Sequence, residues 1–155
     1  MQKLKVVSLF DGISCGQVAL ERAGYEVSDY EAFEIDRFAR SITRYNYPNT
    51  VHHGDVTEAD YTKFKGYDLV MGGSPCTFWS IAKADRDVDK YGMGWKLFMS
   101  FVDAVRTIEP RYFLYENVAS MHKNIRDYIT LEFNCEPLLI NSALVSAQQR
   151  KCNDC

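Results

Sequence analysis

The 155-residue sequence has no long apolar segment, no excess of positive charge and no signal-like N-terminus. No apolar run approaches the roughly 20 residues that a membrane-spanning helix requires. The 18 Lys and Arg residues are outnumbered by 21 Asp and Glu residues, which leaves a net charge of −3. This balance excludes a histone-like nucleic-acid binder, although a basic groove on an acidic body stays open. We therefore expect a cytoplasmic protein that has no membrane partner.

A cysteine framework is also missing. The five cysteines are odd in number and irregularly spaced, so disulfides are not expected. Cys152 and Cys155 form one Cys-x-x-Cys pair, but no second pair or histidine lies near it, and we predict no metal site. Repeats and low-complexity linkers are absent too. With 46% apolar residues, the composition predicts one folded domain over residues 1–155.

Short apolar runs alternate with helical patterns along the chain, as they do in β-α-β units. The pattern predicts strands at 5–10, 30–35, 68–71 and 111–115, and an extended segment at 137–145. It predicts helices at 17–23, 37–45, 95–108 and 124–133, and a long polar loop at 77–94. We predict an α/β fold, a Rossmann-like sheet with right-handed crossover helices, in which ligands bind at the carboxyl ends of the strands.

Three polar features follow the first predicted strands and suit a nucleoside ligand. Residues 10–16 form a glycine-containing turn, whose backbone can approach a ligand closely. Glu34 follows at about the distance where an acidic residue accepts hydrogen bonds from ribose hydroxyls. Asp55 and Val56 offer a carboxylate and a backbone N–H to an adenine. Taken singly, these features are equally typical of a tight turn or a solvated carboxylate, and the Gly-x-Gly-x-x-Gly spacing is absent.

Two further features carry reactive side chains. Cys76 follows Gly73-Ser74-Pro75 after a strand, and a cysteine in this position is a candidate nucleophile, which attacks as the thiolate. Glu116 and Asn117 end the predicted strand at 111–115, where the carboxyl group would act in acid-base chemistry. The alternatives are a buried structural cysteine and a helix-capping pair.

Together, and in this order, the segments resemble the DNA (cytosine-5) methyltransferases, in particular phage and prophage members. SLFDGISCG resembles their first motif, GGSPCTFWS their catalytic Pro-Cys motif, YFLYENV their Glu-Asn-Val motif, and SALVSAQQR the start of their Gln-x-Arg motif. The resemblance runs from about Val6 to Arg150. It implies methyl transfer from S-adenosylmethionine to C5 of a cytosine flipped out of DNA, in restriction-modification systems or phage.

The resemblance also implies residue roles. Cys76 would form a covalent bond to C6 of the cytosine, and Glu116 would protonate or hydrogen-bond N3. The remaining catalytic candidates are Pro75, Asn117 and Arg150. The cofactor-binding candidates are Phe10, Asp11, Gly12, Ile13, Ser14, Cys15, Gly16, Glu34, Ile35, Asp55, Val56 and Gly73. Lys83, Arg86 and Lys90 would contact phosphates from the loop at 77–94, unless they belong to a solvated charge run.

The sequence departs from the family after Arg150. The second arginine of the Gln-x-Arg-x-Arg motif is replaced by Cys152, and the last residues do not resemble the family's next strand. We therefore expect a C-terminally truncated catalytic domain that lacks the final strands and the target-recognition region, with an unpaired sheet edge. Activity would be weak or absent unless a second polypeptide supplies the rest. The alternatives are a non-catalytic S-adenosylmethionine-binding remnant and an RNA cytosine-5 methyltransferase.

Overall fold

The computed structural model describes residues 3–82, 84–144 and 151–154 of the chain. Its helices are α1 (Cys15–Arg22), α2 (Arg37–Asn46), α3 (Met93–Ile108) and α4 (Lys123–Phe133). Its strands are β1 (Leu4–Leu9), β2 (Val27–Phe33), β3 (Val51–His53), β4 (Leu69–Gly72), β5 (Tyr112–Val118), β6 (Leu138–Asn141) and β7 (Lys151–Asp154). The chain divides into two compact units, the first comprising Met1–Gly72 and Asp103–Leu114, the second Gly73–Val102 and Tyr115–Cys155.

The first unit contains a parallel sheet in the order β3-β2-β1-β4, joined by crossovers that include α1 and α2. The start of β5 follows β4, because the Tyr112 amide donates a 3.0 Å hydrogen bond to the Asp68 carbonyl. Val6, Val7 and Leu9 of β1 are fully buried, as expected for the central strand of a sheet that is covered on both faces. These features confirm the predicted Rossmann-like α/β class.

The second unit has an aromatic core. Phe98 and Phe101 of α3 pack edge-on against Tyr115 of β5, with ring centroids 5.3 and 5.0 Å apart. Phe133 at the end of α4 also contacts these two phenylalanines. Residues 98 and 101 are three apart and therefore lie on one helical face, as the apolar spacing of the predicted helix indicates.

Several strand boundaries differ from the predicted ones because backbone pairing and dihedral angles set them. Phe10 has a left-handed φ of 56°, so β1 ends at Leu9. The second strand is displaced toward the N-terminus, since Val27 already pairs with Leu4 of β1. The Val51–His53 strand was not predicted, because three residues carry too little periodicity. β5 extends through Val118 and therefore includes the Glu-Asn-Val segment.

The predicted ending of the chain is wrong in two respects. Among residues 137–144, the described part of the extended segment, the strand is limited to Leu138–Asn141, and Ser142–Leu144 forms a 3₁₀ turn. The sequence predicts no strand beyond 145, yet Lys151–Asp154 forms β7, which pairs antiparallel with β5 on one side and with β6 on the other. The residues between these elements lie outside the described part of the chain.

Candidate active site

In the first unit, the turn after β1 lies against Glu34, the residue that follows β2. The Gly12 amide donates a 2.8 Å hydrogen bond to Glu34 Oε2, and the Asp36 amide donates a 2.7 Å bond to Oε1. Gly12 has a φ of 59°, in the left-handed region that glycine adopts without a steric penalty. Two backbone N–H groups therefore orient the Glu34 carboxylate, which the sequence alone placed only by its spacing.

The segment after β3 presents a second carboxylate. Asp55 Oδ1 accepts hydrogen bonds from both the amide and the hydroxyl of Thr57, each 2.8 Å long, and thereby caps a short 3₁₀ turn at Val56–Glu58. Val56 is buried, and its carbonyl accepts a 2.9 Å bond from the Tyr61 hydroxyl. These hydrogen bonds therefore fix the turn that carries Asp55. Asp55 also lines a cavity of about 290 Å³ that is walled by Phe33, His53 and Phe64.

Ile35 follows Glu34 directly and is 74% exposed. An isolated exposed isoleucine needs no explanation, but this one stands beside an oriented carboxylate. It therefore offers apolar surface where the resemblance to methyltransferases puts an adenine. Of the other predicted residues in this unit, Ile13 and Cys15 are exposed, and Ser14 is fully buried.

In the second unit, the segment before Cys76 is bonded to β5 by buried polar side chains. Asn117 Nδ2 donates a 3.0 Å hydrogen bond to the Ser74 carbonyl, and the Ser74 and Tyr115 hydroxyl oxygens lie 2.6 Å apart. All three residues are buried. Burial raises the pKa of the Tyr115 phenol well above its ordinary value, so this hydroxyl keeps its proton at neutral pH. The network attaches the Pro-Cys segment to the Glu-Asn-Val strand.

Gly73 lies directly against Glu116. A Cβ atom at Gly73 would lie 2.5 Å from the Glu116 carbonyl oxygen and 3.1 Å from Glu116 Oε2. Only a glycine permits this approach without a shift of backbone. The close contact places the half-buried Glu116 carboxyl beside the chain that leads into Cys76.

Cys76 itself begins a 3₁₀ turn, and Pro75 precedes it with a φ of −51°. The Cys76 carbonyl accepts hydrogen bonds from the Trp79 and Ser80 amides, at 3.0 and 2.8 Å. Its thiol is free and half-buried. The proline ring, the turn and the buried Trp79 side chain together restrain the backbone that carries this sulfur, as a nucleophile requires.

The thiol of Cys76 and the carboxyl group of Glu116 thus lie on two mutually bonded segments, and such groups can serve as a nucleophile and as an acid or hydrogen-bond donor. The sequence profile of the C-5 cytosine-specific DNA methylase family matches residues 4–149.

The chain belongs to the C-5 cytosine-specific DNA methylase family.

Phage and bacterial methyltransferases are similar to the chain over most of its length. An orphan methyltransferase of Bacillus phage rho11s is 36% identical over 124 residues, which cover 78% of this chain and 24% of that protein. An orphan methyltransferase of Bacillus phage SPR is 35% identical over 126 residues, covering 78% and 28%. A type II methyltransferase of Neisseria gonorrhoeae is 32% identical over 123 residues, covering 78% and 35%. The chain thus spans roughly a quarter to a third of the length of these relatives.

Membership of this methylase family confirms the resemblance that the motifs indicated. Within the first unit, the structure brings Gly12 to Glu34; within the second, it brings Gly73 to Glu116 and Ser74 to Asn117. Arg150, the remaining catalytic candidate, lies outside the described residues. The individual roles of all these residues stay predictions.

Two of the three loop cations, Arg86 and Lys90, have partners within the second unit. Arg86 Nη1 donates a 2.9 Å hydrogen bond to the Ser120 carbonyl. Lys90 Nζ lies 4.4 Å from the ring centroid of Tyr128, 4.9 Å from that of Trp95, and 3.7 Å from Glu132 Oε1. These contacts favour a structural role over phosphate contact for both side chains. Lys83 lies outside the described residues.

The buried side chains that hold the candidate residues in place were not predicted from the sequence. Tyr30 and Thr43 are bonded to the turn after β1, and Ser74 and Tyr115 belong to the network beneath Cys76. The only signal in the sequence is a polar residue inside an apolar strand, as at Tyr115, because a buried polar group requires a partner.

Neither a metal-binding cluster nor a helix fit to span a membrane occurs in the described part of the chain. No group of three or more His, Cys, Asp or Glu side chains there has an arrangement that would hold a metal ion. Among the same residues, none of the helices combines the length and the apolar character that a membrane crossing demands.

Proposed function

We propose that this chain carries the cofactor residues and the nucleophile of a DNA methyltransferase, which transfers a methyl group from S-adenosylmethionine to C5 of cytosine. One observation carries the proposal: the Gly73–Cys76 segment is hydrogen-bonded to Tyr115–Asn117, which puts the thiol-bearing turn beside the strand that carries Glu116. A merely structural cysteine would not need a proline before it and a buried polar network that joins its segment to the strand carrying Glu116.

The first unit has donors and acceptors that suit S-adenosylmethionine. Each oxygen of the Glu34 carboxylate accepts one backbone N–H, and a carboxylate oxygen has a second lone pair with which to accept a ribose hydroxyl. Ile35 offers apolar surface to an adenine ring, and Asp55 offers an acceptor for an exocyclic amine. The other residues that would hold the cofactor are Phe10, Asp11, Gly12, Ile13, Ser14, Cys15, Gly16, Val56 and Gly73.

In the proposed reaction, the target cytosine leaves the duplex so that its ring can reach the protein. The Cys76 thiolate forms a bond to C6, and the electron pair of the C5–C6 double bond moves onto C5. Glu116 protonates or hydrogen-bonds N3, which stabilises the negative charge that develops on the ring. Bound S-adenosylmethionine would supply the methyl group that C5 accepts and would leave as S-adenosylhomocysteine. The C5 proton is then lost to a water molecule, the C5–C6 double bond re-forms, and the electron pair of the Sγ–C6 bond returns to Cys76 as its thiolate.

Transfer of a labelled methyl group to cytosine-rich DNA tests the activity. We expect a weak signal with the unsubstituted chain and an equal one with Cys135→Ser, because Cys135 is an exposed free cysteine outside the candidate site. We expect none with Cys76→Ser, because a hydroxyl is a much weaker nucleophile than a thiolate. Signal that survives Cys76→Ser contradicts the proposed nucleophile. No signal with any variant contradicts catalysis by this chain and favours the non-catalytic S-adenosylmethionine-binding alternative. RNA accepted in preference to DNA contradicts the substrate.

An oligonucleotide that contains 5-fluorocytosine tests the covalent step separately. Fluorine at C5 cannot leave as the proton does, so the Sγ–C6 bond persists once the methyl group has been transferred. We expect a protein–DNA adduct that resists denaturing electrophoresis for the unsubstituted chain and for Cys135→Ser. An adduct formed by Cys76→Ser would place the bond on another side chain.

A further inference from the structure

The Asp11 carboxylate, in the turn after β1, is bound from inside the first unit. Its Oδ1 accepts a 2.8 Å hydrogen bond from the Tyr30 hydroxyl, and its Oδ2 accepts a short one from the Ser14 hydroxyl. Both oxygens of this carboxylate thus have a partner within the protein. The candidate cofactor residue therefore has an organising function in the turn itself.

The backbone of Ser14 has an unusual conformation that requires support from side chains. Ser14 has φ 62° and ψ 38°, a left-handed conformation that is uncommon for a residue with a side chain, and it is fully buried. It stands immediately before α1, yet its hydroxyl does not cap the helix. The hydroxyl is instead bonded to Asp11 and accepts a 3.2 Å hydrogen bond from the buried Thr43 of α2. Side-chain bonds from two directions thus hold the unusual backbone.

Tyr30 provides the innermost of these bonds. Its side chain is buried on β2, and a Cβ atom at Gly16 would lie 2.9 Å from the Tyr30 hydroxyl and 2.7 Å from Met71 Cε. The phenol therefore lies directly beneath the first turn of α1. Burial and then the Asp11 carboxylate raise the pKa of Tyr30, so the hydroxyl remains a donor at neutral pH.

The same turn also contacts Glu34, the residue predicted to bind the ribose hydroxyls. The Asp11 amide donates a 3.0 Å hydrogen bond to the Phe33 carbonyl, and the amide of the next residue, Gly12, donates one to Glu34 Oε2. A displacement of Asp11 would therefore move the Gly12 amide that orients the Glu34 carboxylate.

We propose that Tyr30 is a positioning residue for cofactor binding, which acts by holding the Asp11 carboxylate, and through it the Gly12–Ser14 backbone, against Glu34. The inference rests on the proposed function, since it takes the ligand of this turn to be S-adenosylmethionine. It adds a residue that no motif of the sequence contains.

Tyr30→Phe removes only the hydroxyl and is the direct test. Tyr67→Phe is the matched control, because Tyr67 donates a 3.0 Å hydrogen bond to another carboxylate of the same unit, that of Glu31, away from the turn. We expect Tyr30→Phe to raise the dissociation constant for S-adenosylmethionine about tenfold, the factor expected for one lost hydrogen bond to a charged group. Tyr67→Phe should bind S-adenosylmethionine as tightly as the unsubstituted chain does, although it should lose about as much thermal stability as Tyr30→Phe.

A double-substitution cycle separates positioning from general destabilisation. If Tyr30 acts through Asp11, Tyr30→Phe should weaken binding in the unsubstituted background and have no further effect in the Asp11→Ala background. Additive effects of the two substitutions would overturn the inference, as would unchanged binding by Tyr30→Phe. Absence of binding by the unsubstituted chain would overturn the proposed function, and this inference with it.

Amide hydrogen exchange in the protein without cofactor gives a readout that is independent of binding. We expect Tyr30→Phe to accelerate exchange at Gly12, whose amide donates to Glu34, and at Ser14, whose amide donates to the Asp11 carbonyl. The amides of β1 should be unchanged. Acceleration across the whole first unit would indicate a structural role alone and would contradict positioning.

Discussion

Asn117 Nδ2 donates a 3.0 Å hydrogen bond to the Ser74 carbonyl across 43 residues of sequence. Asn117 Oδ1 also accepts a 2.8 Å bond from the Val118 amide. One buried amide side chain therefore uses both of its ends, and it connects the segment before Cys76 to the strand that carries Glu116. The two motifs are therefore joined directly in the folded chain.

Asn117→Ala should lower the free energy of unfolding by about 1–3 kcal/mol, because it leaves the buried Ser74 carbonyl without this donor. Asn46→Ala is the control, since it removes an exposed hydrogen bond to the Ile42 carbonyl and should change stability by less than about 0.5 kcal/mol. Urea unfolding measures both. Equal effects of the two substitutions would show that the buried hydrogen bond contributes no more to stability than the exposed one.

Gly73→Ala should be destabilising, by about 1–3 kcal/mol, because the added methyl group would lie 2.5 Å from the Glu116 carbonyl oxygen. Gly54→Ala is a matched control, since a Cβ there would meet nothing within 4 Å. Thermal unfolding of the two variants measures the difference. A Gly73→Ala protein as stable as Gly54→Ala would contradict the close approach of the two segments.

Lys90→Ala should destabilise the chain by about 1 kcal/mol, because it removes a cation that faces Tyr128, Trp95 and Glu132 and is itself partly exposed. It should leave the salt dependence of DNA binding unaltered. Lys96→Ala, on the exposed side of α3, controls for loss of one positive charge. A decrease of about one in the slope of log affinity against log salt, for Lys90→Ala only, would instead show a phosphate contact.

His52 predicts a pH dependence of stability. Burial, followed by the nearby Arg44 and Arg40 cations, lowers the pKa of His52 below its ordinary value. The unfolded chain therefore binds a proton at a higher pH than the folded chain does, and stability should fall as pH decreases from about 6.5 towards the folded-state pKa. His52→Gln should flatten this part of the curve. An identical pH profile for both proteins, measured by urea unfolding, would exclude His52 as the cause.

The candidate residues of the site could be named from the sequence because they carry local signals. A proline before a cysteine, glycines after a strand and an acidic residue at the end of the next strand all appear in short windows of sequence. Family membership and the α/β class are confirmed by the profile match and by the parallel sheet. The chemistry-bearing residues Cys76, Glu116 and Glu34 were all singled out from these windows.

The partners of those residues were not predictable in the same way. Tyr30 resembles any other aromatic residue of a buried strand, and the assignment of Lys90 to phosphate contact followed from charge alone. The strand at 151–154 has no apolar alternation, and it exists because the backbones of β5 and β6 pair with it.

The sequence by itself determined the class of fold, most of its strands and helices, and the side chains that are candidates for the chemistry. These follow from periodicity, turn chemistry and motif, which depend on neighbours along the chain. Only the tertiary structure decided that Asn117 bonds to Ser74, that Gly73 abuts Glu116 and that Tyr30 holds Asp11. Such contacts join residues far apart in sequence, and their energies depend on burial and on atomic distances that exist only once the chain has packed.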